Sequence, residues 1–186
     1  MNMEALRISA PLTNAVTEEL RAGMSVLLSG VIYTARDAAH KRMADALMRG
    51  EGLPFHLAGQ VIYYVGPTPA PPGRVIGSAG PTTASRMDAF TVPLLDRGLK
   101  GMIGKGGRSA EIAAAIVKHK AVYFAAYGGA GALISECIKE AKLIAYEDLG
   151  TEAIRRLVVE DMPLIVANDC HGGDFYRDVA AHRQRP

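Results

Sequence analysis

Short apolar runs rich in valine, isoleucine and tyrosine alternate along the chain with alanine-rich segments whose apolar residues recur every three or four positions. "SVLLSGVIYTA" (25–35) reads as a strand with a bulge or bend at Ser29-Gly30, because an interior glycine weakens a regular strand. "RDAAHKRMADALMRG" (36–50) reads as a helix, with Ala39, Met43, Ala46 and Leu47 spaced for one face and Gly50 at its end. "QVIYYVGP" (60–67) is again a strand, stopped by a Gly-Pro breaker. Strands that alternate with helices predict an α/β fold. Two strand-like runs sit side by side within 25–35, which leaves room for antiparallel or barrel-like pairing and a mixed sheet.

The remaining segments extend the pattern. "LTNAVTEELRAG" is a short helix, capped by Thr13 or Asn14 and ended by Gly23. "GMIGKGG", "AVYFAAYG" and "MPLIVAND" are strands. "RSAEIAAAIVKHK" is a helix with Ser109 as cap, Glu111 in its first turn and Lys118, His119 and Lys120 at its end. "TTASRMDAF" opens another helix, and Pro93 is expected to kink or restart it. "GAGALISECIKEAK" and "LGTEAIRRLVV" read as helical, wholly or in part. The proline- and glycine-rich "TPAPPGRVIGSAGP" reads as an ordered loop. No repeat or low-complexity linker divides residues 1–186, so one domain is expected.

Composition narrows the function classes. Lys plus Arg number 21 and Asp plus Glu 19, a formal charge of +2, too balanced to argue for nucleic acid or a membrane surface. No apolar run approaches the ~20 residues of a membrane span. The start "MNMEALRISAPLT" lacks the basic and apolar stretches of a signal peptide, so a cytoplasmic location is expected. The two cysteines, Cys137 and Cys170, lie far apart without CxxC spacing and are expected to be free thiols.

Three clusters could carry chemistry. In "GSAGPTTASRMDAF" a glycine-rich turn leads into Thr82, Thr83 and Arg86. A helix starting there would offer free N–H groups to an anion, and Arg86 could clamp a carboxylate. The plainer alternative is a capped helix whose Arg86 pairs with a surface acid, and the two readings balance. The lysine of a phosphate loop is missing. In "TARDAAHKR", Arg36 stands where a strand passes into a helix, a frequent place for functional residues. Asp37 there suits a helix start, and His40 is read as structural. In "IGKGGR", glycines expose Lys105. "YGGAGAL" fits tight packing, and "NDCHGGDFY" fits a turn better than a metal site. Arg36, Arg86 and Lys105 together suggest a small dianion as ligand, although no complete catalytic set is present.

"GVIYTARDAAHKR", "YYVGPTPAPPG", "IGSAGPTTASRMDAF", "GMIGKGG" and "AYEDLGTEAI" together resemble the β subunit of class I fumarate hydratase and L(+)-tartrate dehydratase, the counterpart of the C-terminal domain of single-chain class I fumarases. The resemblance runs from about Pro11 to Tyr176. It implies the swivelling β/β/α domain and reversible hydration of a dicarboxylate: fumarate to L-malate, or alternatively dehydration of tartrate or 2-methylmalate. It implies a [4Fe–4S] cluster bound by a separate α subunit, at positions matched by neither Cys137 nor Cys170, and an α2β2 assembly. It implies that Thr82 is the base and that Arg36, Arg86 and Lys105 hold the substrate carboxylates. The acid is expected from the α subunit. Gly107 stands where many relatives carry asparagine, which alters the hydrogen bonding near Lys105. A dicarboxylate-binding homologue without catalysis is the reading from a different class.

Overall fold

The computed structural model describes residues 5–127 and 129–183. The chain runs β1 (Leu6–Ala10), α1 (Asn14–Glu19), β2 (Ser25–Thr34), α2 (Asp37–Met48), β3 (Val61–Tyr63), a 3₁₀ turn (Ala84–Met87), α3 (Asp88–Asp96), β4 (Gly101–Gly104), α4 (Ala110–Lys118) and β5 (Val122–Ala125). It continues with α5 (Gly131–Glu136), β6 (Ile138–Ala145), a 3₁₀ segment (Glu147–Glu152), β7 (Ile154–Asn168) and α6 (Phe175–Arg183). The α/β expectation holds: helices flank one mixed sheet of seven strands.

The pairing closes on itself. β2, β3, β4 and β5 run parallel in that order, while β7 pairs antiparallel with both β5 and β2. Five strands thus form a circuit, with β1 beside β2 and β6 beside β7. The barrel-like pairing rests on a bend in β2. The β2–β7 register shifts between Leu28 and Gly30, and opposite this Asp161 takes a left-handed φ of 49° and donates its N–H to the Ser29 hydroxyl at 3.0 Å. Gly30 has φ +108°, and a Cβ there would come within 2.4 Å of the Ala10 carbonyl oxygen. Only glycine meets both demands. The bend lets β2 pair with β1 first and with β3 at Tyr33 and Thr34.

Alternate residues of the central strands serve two cores. Val61, Tyr63, Val65, Ile103, Val122, Phe124, Leu157 and Val166 share one cluster; Ile62, Tyr64, Met102, Tyr123 and Ala125 share a second with Ala39 and Met43 of α2, Leu94 and Leu95 of α3 and Ile112 and Ile116 of α4. A strand covered on both faces needs apolar side chains at every position.

Several local expectations hold. Thr13 caps α1 by accepting from the Val16 N–H at 3.3 Å, and Ser109 caps α4 by accepting from Ile112 at 3.3 Å. The partly helical reading of "GAGALISECIKEAK" also holds: it is helical to Glu136 and then becomes β6, while "LGTEAIRRLVV" carries only the end of a 3₁₀ segment, to Glu152, before β7 begins at Ile154. These stretches carry helix-favouring Ala, Glu, Lys and Leu, and pairing overrides that weak local preference. Helix α3 continues through Pro93, where burial of Thr91, Leu94 and Leu95 outweighs one missing backbone bond. Thr83 occupies the cap position of the 3₁₀ turn yet makes no side-chain capping bond. Strand β1 and helix α6 went unread in the sequence.

Candidate functional site

Parallel strands of an α/β sheet deliver their connecting loops to one edge, and ligands bind outside the carboxyl ends. Arg36 lies two residues after β2, and Lys105 immediately follows β4. Thr82 reaches the same edge as part of a short strand-like extension. Its N–H donates to the Tyr64 carbonyl just past β3 (2.7 Å), its carbonyl accepts from the Lys105 N–H (3.1 Å), and the Ala84 N–H donates to the Lys105 carbonyl (2.9 Å). Thr83 and Lys105 form a parallel bridge. Gly104 makes this approach possible: a Cβ there would stand 2.9 Å from Tyr64 Cδ2 and 3.2 Å from the Thr82 carbonyl oxygen. The four residues singled out in the sequence, Arg36, Thr82, Arg86 and Lys105, therefore come from three connections that end at one edge.

Asp37 ties two of them together. Its Oδ1 accepts from Arg86 Nε at 2.7 Å, and its Oδ2 lies 3.6 Å from Arg36 Nε. Arg86 thus does pair with an acid, the plainer of its two roles, but that acid also faces Arg36. Glu152 adds a further anchor: its Oε1 lies 3.4 Å from Arg36 Nη2, and its Oε2 accepts from the Ala38 N–H at 3.1 Å. Arg36 also lies against Gly66, where a Cβ would meet Nη1 at 3.0 Å. The Arg36 side chain is 22% exposed and that of Arg86 50%. Three cations against two carboxylates leave one net positive charge. Among the described residues, no side-chain hydrogen bond or ion pair engages the Thr82 hydroxyl or the Lys105 ammonium, so both are free for a ligand.

Glu152 was not singled out in the sequence, although "AYEDLGTEAI" contains it. The segment is strapped to α2: Arg42 makes a two-pronged pair with Asp148 (2.8 and 2.7 Å), and its guanidinium lies 4.7 Å from the Tyr146 ring centroid. Such forked and stacked contacts fix orientation as well as distance.

His40 keeps its structural role. It is fully buried, its Nδ1 hydrogen-bonds the Arg36 carbonyl at 3.0 Å, and burial lowers its pKa to about 4, so it is neutral at pH 7. The "NDCHGGDFY" stretch is a turn, as expected. Asp169 accepts from the N–H groups of Ala22, His171 and Gly173 (2.7, 2.8 and 2.9 Å), which together hold its pKa down against the opposing effect of burial. In "YGGAGAL", Gly128 lies outside the described residues; Gly131 packs on the 78–80 loop, where a Cβ would come 2.5 Å from Ser78 Oγ. Cys137 and Cys170 are free thiols, partly buried and buried. Among the described residues, no three His, Cys, Asp or Glu side chains gather to hold a metal. The residues present do not fit an iron–sulfur cluster bound by this chain.

A cavity of about 540 Å³ lies beside the cation cluster rather than on it, lined by Pro67, Ile76, Leu143, Thr151 and Arg155 among others. The cluster itself is an open edge. It can bind a dianion and hold a free hydroxyl near it, but one side faces solvent.

Comparison with known proteins identifies the family. The family model described as Fumarase C-terminus matches residues 1–179. The class I aerobic fumarate hydratase of Salmonella typhimurium is 36% identical over 182 residues, covering 95% of this chain and 31% of that protein. The class I anaerobic fumarate hydratase of Escherichia coli is 39% identical over 155 residues, 82% of this chain and 28% of that protein. A protein of Methanocaldococcus jannaschii with the provisional name L(+)-tartrate dehydratase subunit beta is 36% identical over 174 residues, 90% of this chain and 89% of that one. The chain spans about a third of the length of the fumarate hydratases it matches.

Proposed function

The chain belongs to the Fumarase C-terminus family, and on that premise we propose that it is the β-type part of a hydro-lyase that adds water reversibly across the double bond of fumarate to give L-malate. The observation that carries this reading is the convergence of Arg36, Arg86 and Lys105 on one strand edge beside an unengaged threonine hydroxyl. A four-carbon dicarboxylate has two anionic ends. Arg36 and Arg86, held by Asp37, bind one end, and Lys105 binds the other. Each charge-assisted contact is worth about 1.5–3 kcal/mol.

In the dehydration direction Thr82 removes the proton from the carbon next to a carboxylate. A threonine hydroxyl is a very weak base in water, so its deprotonated form needs nearby positive charge. Lys105 is tied to it by the backbone bond, and Arg86 is four residues away. In hydration the same hydroxyl returns the proton. The acid and the [4Fe–4S] cluster belong to an α-type partner in this reading, in an α2β2 assembly. The reading also names the fold as the swivelling β/β/α domain, supported by the antiparallel pairing of β7 with both β5 and β2. It places the enzyme in the cytoplasm; no described helix is long and apolar enough to cross a membrane.

L(+)-tartrate is the second candidate substrate, because the archaeal relative with that name matches this chain over nearly the length of both proteins. Anaerobic co-expression with the α-type partner, followed by assays on malate, tartrate and 2-methylmalate, tests the reading. Turnover of malate above the other two supports it. Preference for tartrate selects the second candidate. Binding of dicarboxylates without turnover of any would instead indicate the non-catalytic homologue.

A further inference from the structure

Arg108 ends the "IGKGGR" stretch and touches none of the four site residues with its side chain. That side chain is 0% exposed. Its Nε donates to Asp88 Oδ1 at 2.7 Å, Nη1 to the Tyr64 hydroxyl at 3.0 Å, and Nη2 to the Thr91 hydroxyl at 2.8 Å. The guanidinium lies 5.5 Å from the Tyr64 ring centroid and 5.2 Å from that of Tyr123. Burying a guanidinium is costly even when it is paired, and a well-packed apolar side chain fills such a space at least as stably. What an apolar residue does not supply is direction. The forked group fixes several neighbours in one geometry.

Those neighbours lead to the site. Tyr64 holds Thr82 through its carbonyl, at 2.7 Å from the Thr82 N–H. Asp88 starts α3 two residues after Arg86, and its second oxygen accepts from the Ser109 N–H at 2.9 Å. Tyr123, stacked on the guanidinium, donates its hydroxyl to the Gly106 carbonyl at 2.8 Å. The Gly106 N–H in turn donates to the Tyr176 hydroxyl at 3.0 Å. Gly106, next to Lys105, is thus pinned at both its N–H and its carbonyl. Thr82, Arg86 and Lys105 each connect back to the one buried guanidinium.

We propose that Arg108 is a positioning residue that locks the loop of Lys105 to the segment of Thr82 and Arg86. The kinetic half of this inference rests on the proposed function; the structural half does not. Arg108→Lys keeps the charge but loses the planar fork. In the reconstituted complex it lowers kcat by roughly 10–100-fold, the scale of a misplaced reacting group, with a smaller change in KM. Thr91→Val removes one of the guanidinium's three bonds to oxygen and gives a milder effect of the same kind in a chain that still folds. Ile116→Ala, a core truncation on α4 outside this network, is the stability control and leaves kcat near wild type.

Amide hydrogen exchange on the full chain alone supplies a readout independent of activity. In Arg108→Lys the Thr82, Lys105 and Gly106 amides exchange at least about tenfold faster, while Val122 and Val166 in the sheet hold their rates. Uniform acceleration across all five amides, matching that in Ile116→Ala, overturns the inference. So does a variant with wild-type exchange at the three loop amides. If the wild-type complex turns over no dicarboxylate, the proposed function fails, and the exchange pattern still decides the role of Arg108.

Discussion

Thr82 and Thr83 are neighbours with opposite surroundings. Thr82 is partly buried and tied on both sides by backbone bonds; Thr83 is exposed and caps nothing. Thr83→Ala should therefore lower the melting temperature by less than the loss of a working cap, about 1 kcal/mol. Asp37→Asn should release both arginines from their shared partner and raise KM for the dicarboxylate about tenfold, with a smaller effect on kcat, measured by steady-state kinetics on the complex. Unchanged KM would show that Asp37 only starts a helix. At Gly107 a Cβ would meet nothing within 4 Å, so Gly107→Asn should fold normally. Its melting curve checks this, and its kinetics show whether that side chain selects substrate. His40 gives a pH prediction. Its folded pKa of about 4 lies below the usual ~6.5, so the unfolded chain binds the extra proton between these values. Its contribution is present in full above about pH 6.5 and is lost as pH falls towards 4, by up to about 3 kcal/mol. Asp37, which favours its protonation, and Arg108, which opposes it, are the charged groups that act on it. Urea unfolding of wild type and His40→Gln at pH 7.5 and pH 5 should show a wild-type loss of stability that the variant lacks.

Among the elements, strands β2 to β5 and helices α2, α3 and α4 were legible because their patterns are local. "QVIYYVGP" and "AVYFAAYG" are apolar at nearly every position, as strands buried on both faces must be. The bend at Ser29-Gly30 was legible for the same reason, since glycine needs no distant partner to betray it. Strand β6 and the first half of β7 were not, although "MPLIVAND" was read as the strand that ends β7. Lys139, Glu140, Lys142 and Leu143 are exposed on an edge strand, and nothing local separates that pattern from a helix. Of the site, the cations and the hydroxyl stood out by their glycine-rich settings. Glu152 and Arg108 did not, because their partners lie far off in sequence: Arg36 for the one, Tyr64 and Asp88 for the other. The closeness of β4 to the Thr82 segment gives an element-scale test. Gly104→Ala should cost about 1–3 kcal/mol by overpacking against Tyr64 and Ala84. Equal melting temperatures for variant and wild type would mean that the two segments do not pack as closely as described.

For the whole molecule, Thr82 and the three cations stand on an open edge, and the chain is about a third of the fumarate hydratases it resembles. The chain alone should therefore bind dicarboxylates weakly and turn none over. Its central role is tested most directly by steady-state hydration of fumarate in the anaerobically reconstituted complex, comparing wild type with Thr82→Val. The account predicts turnover only when both parts are present, and a fall in kcat of at least about 10²-fold in the variant, with KM changed far less because Arg36, Arg86 and Lys105 remain. Near-normal turnover by Thr82→Val, or robust hydration by the chain without its partner, would contradict it.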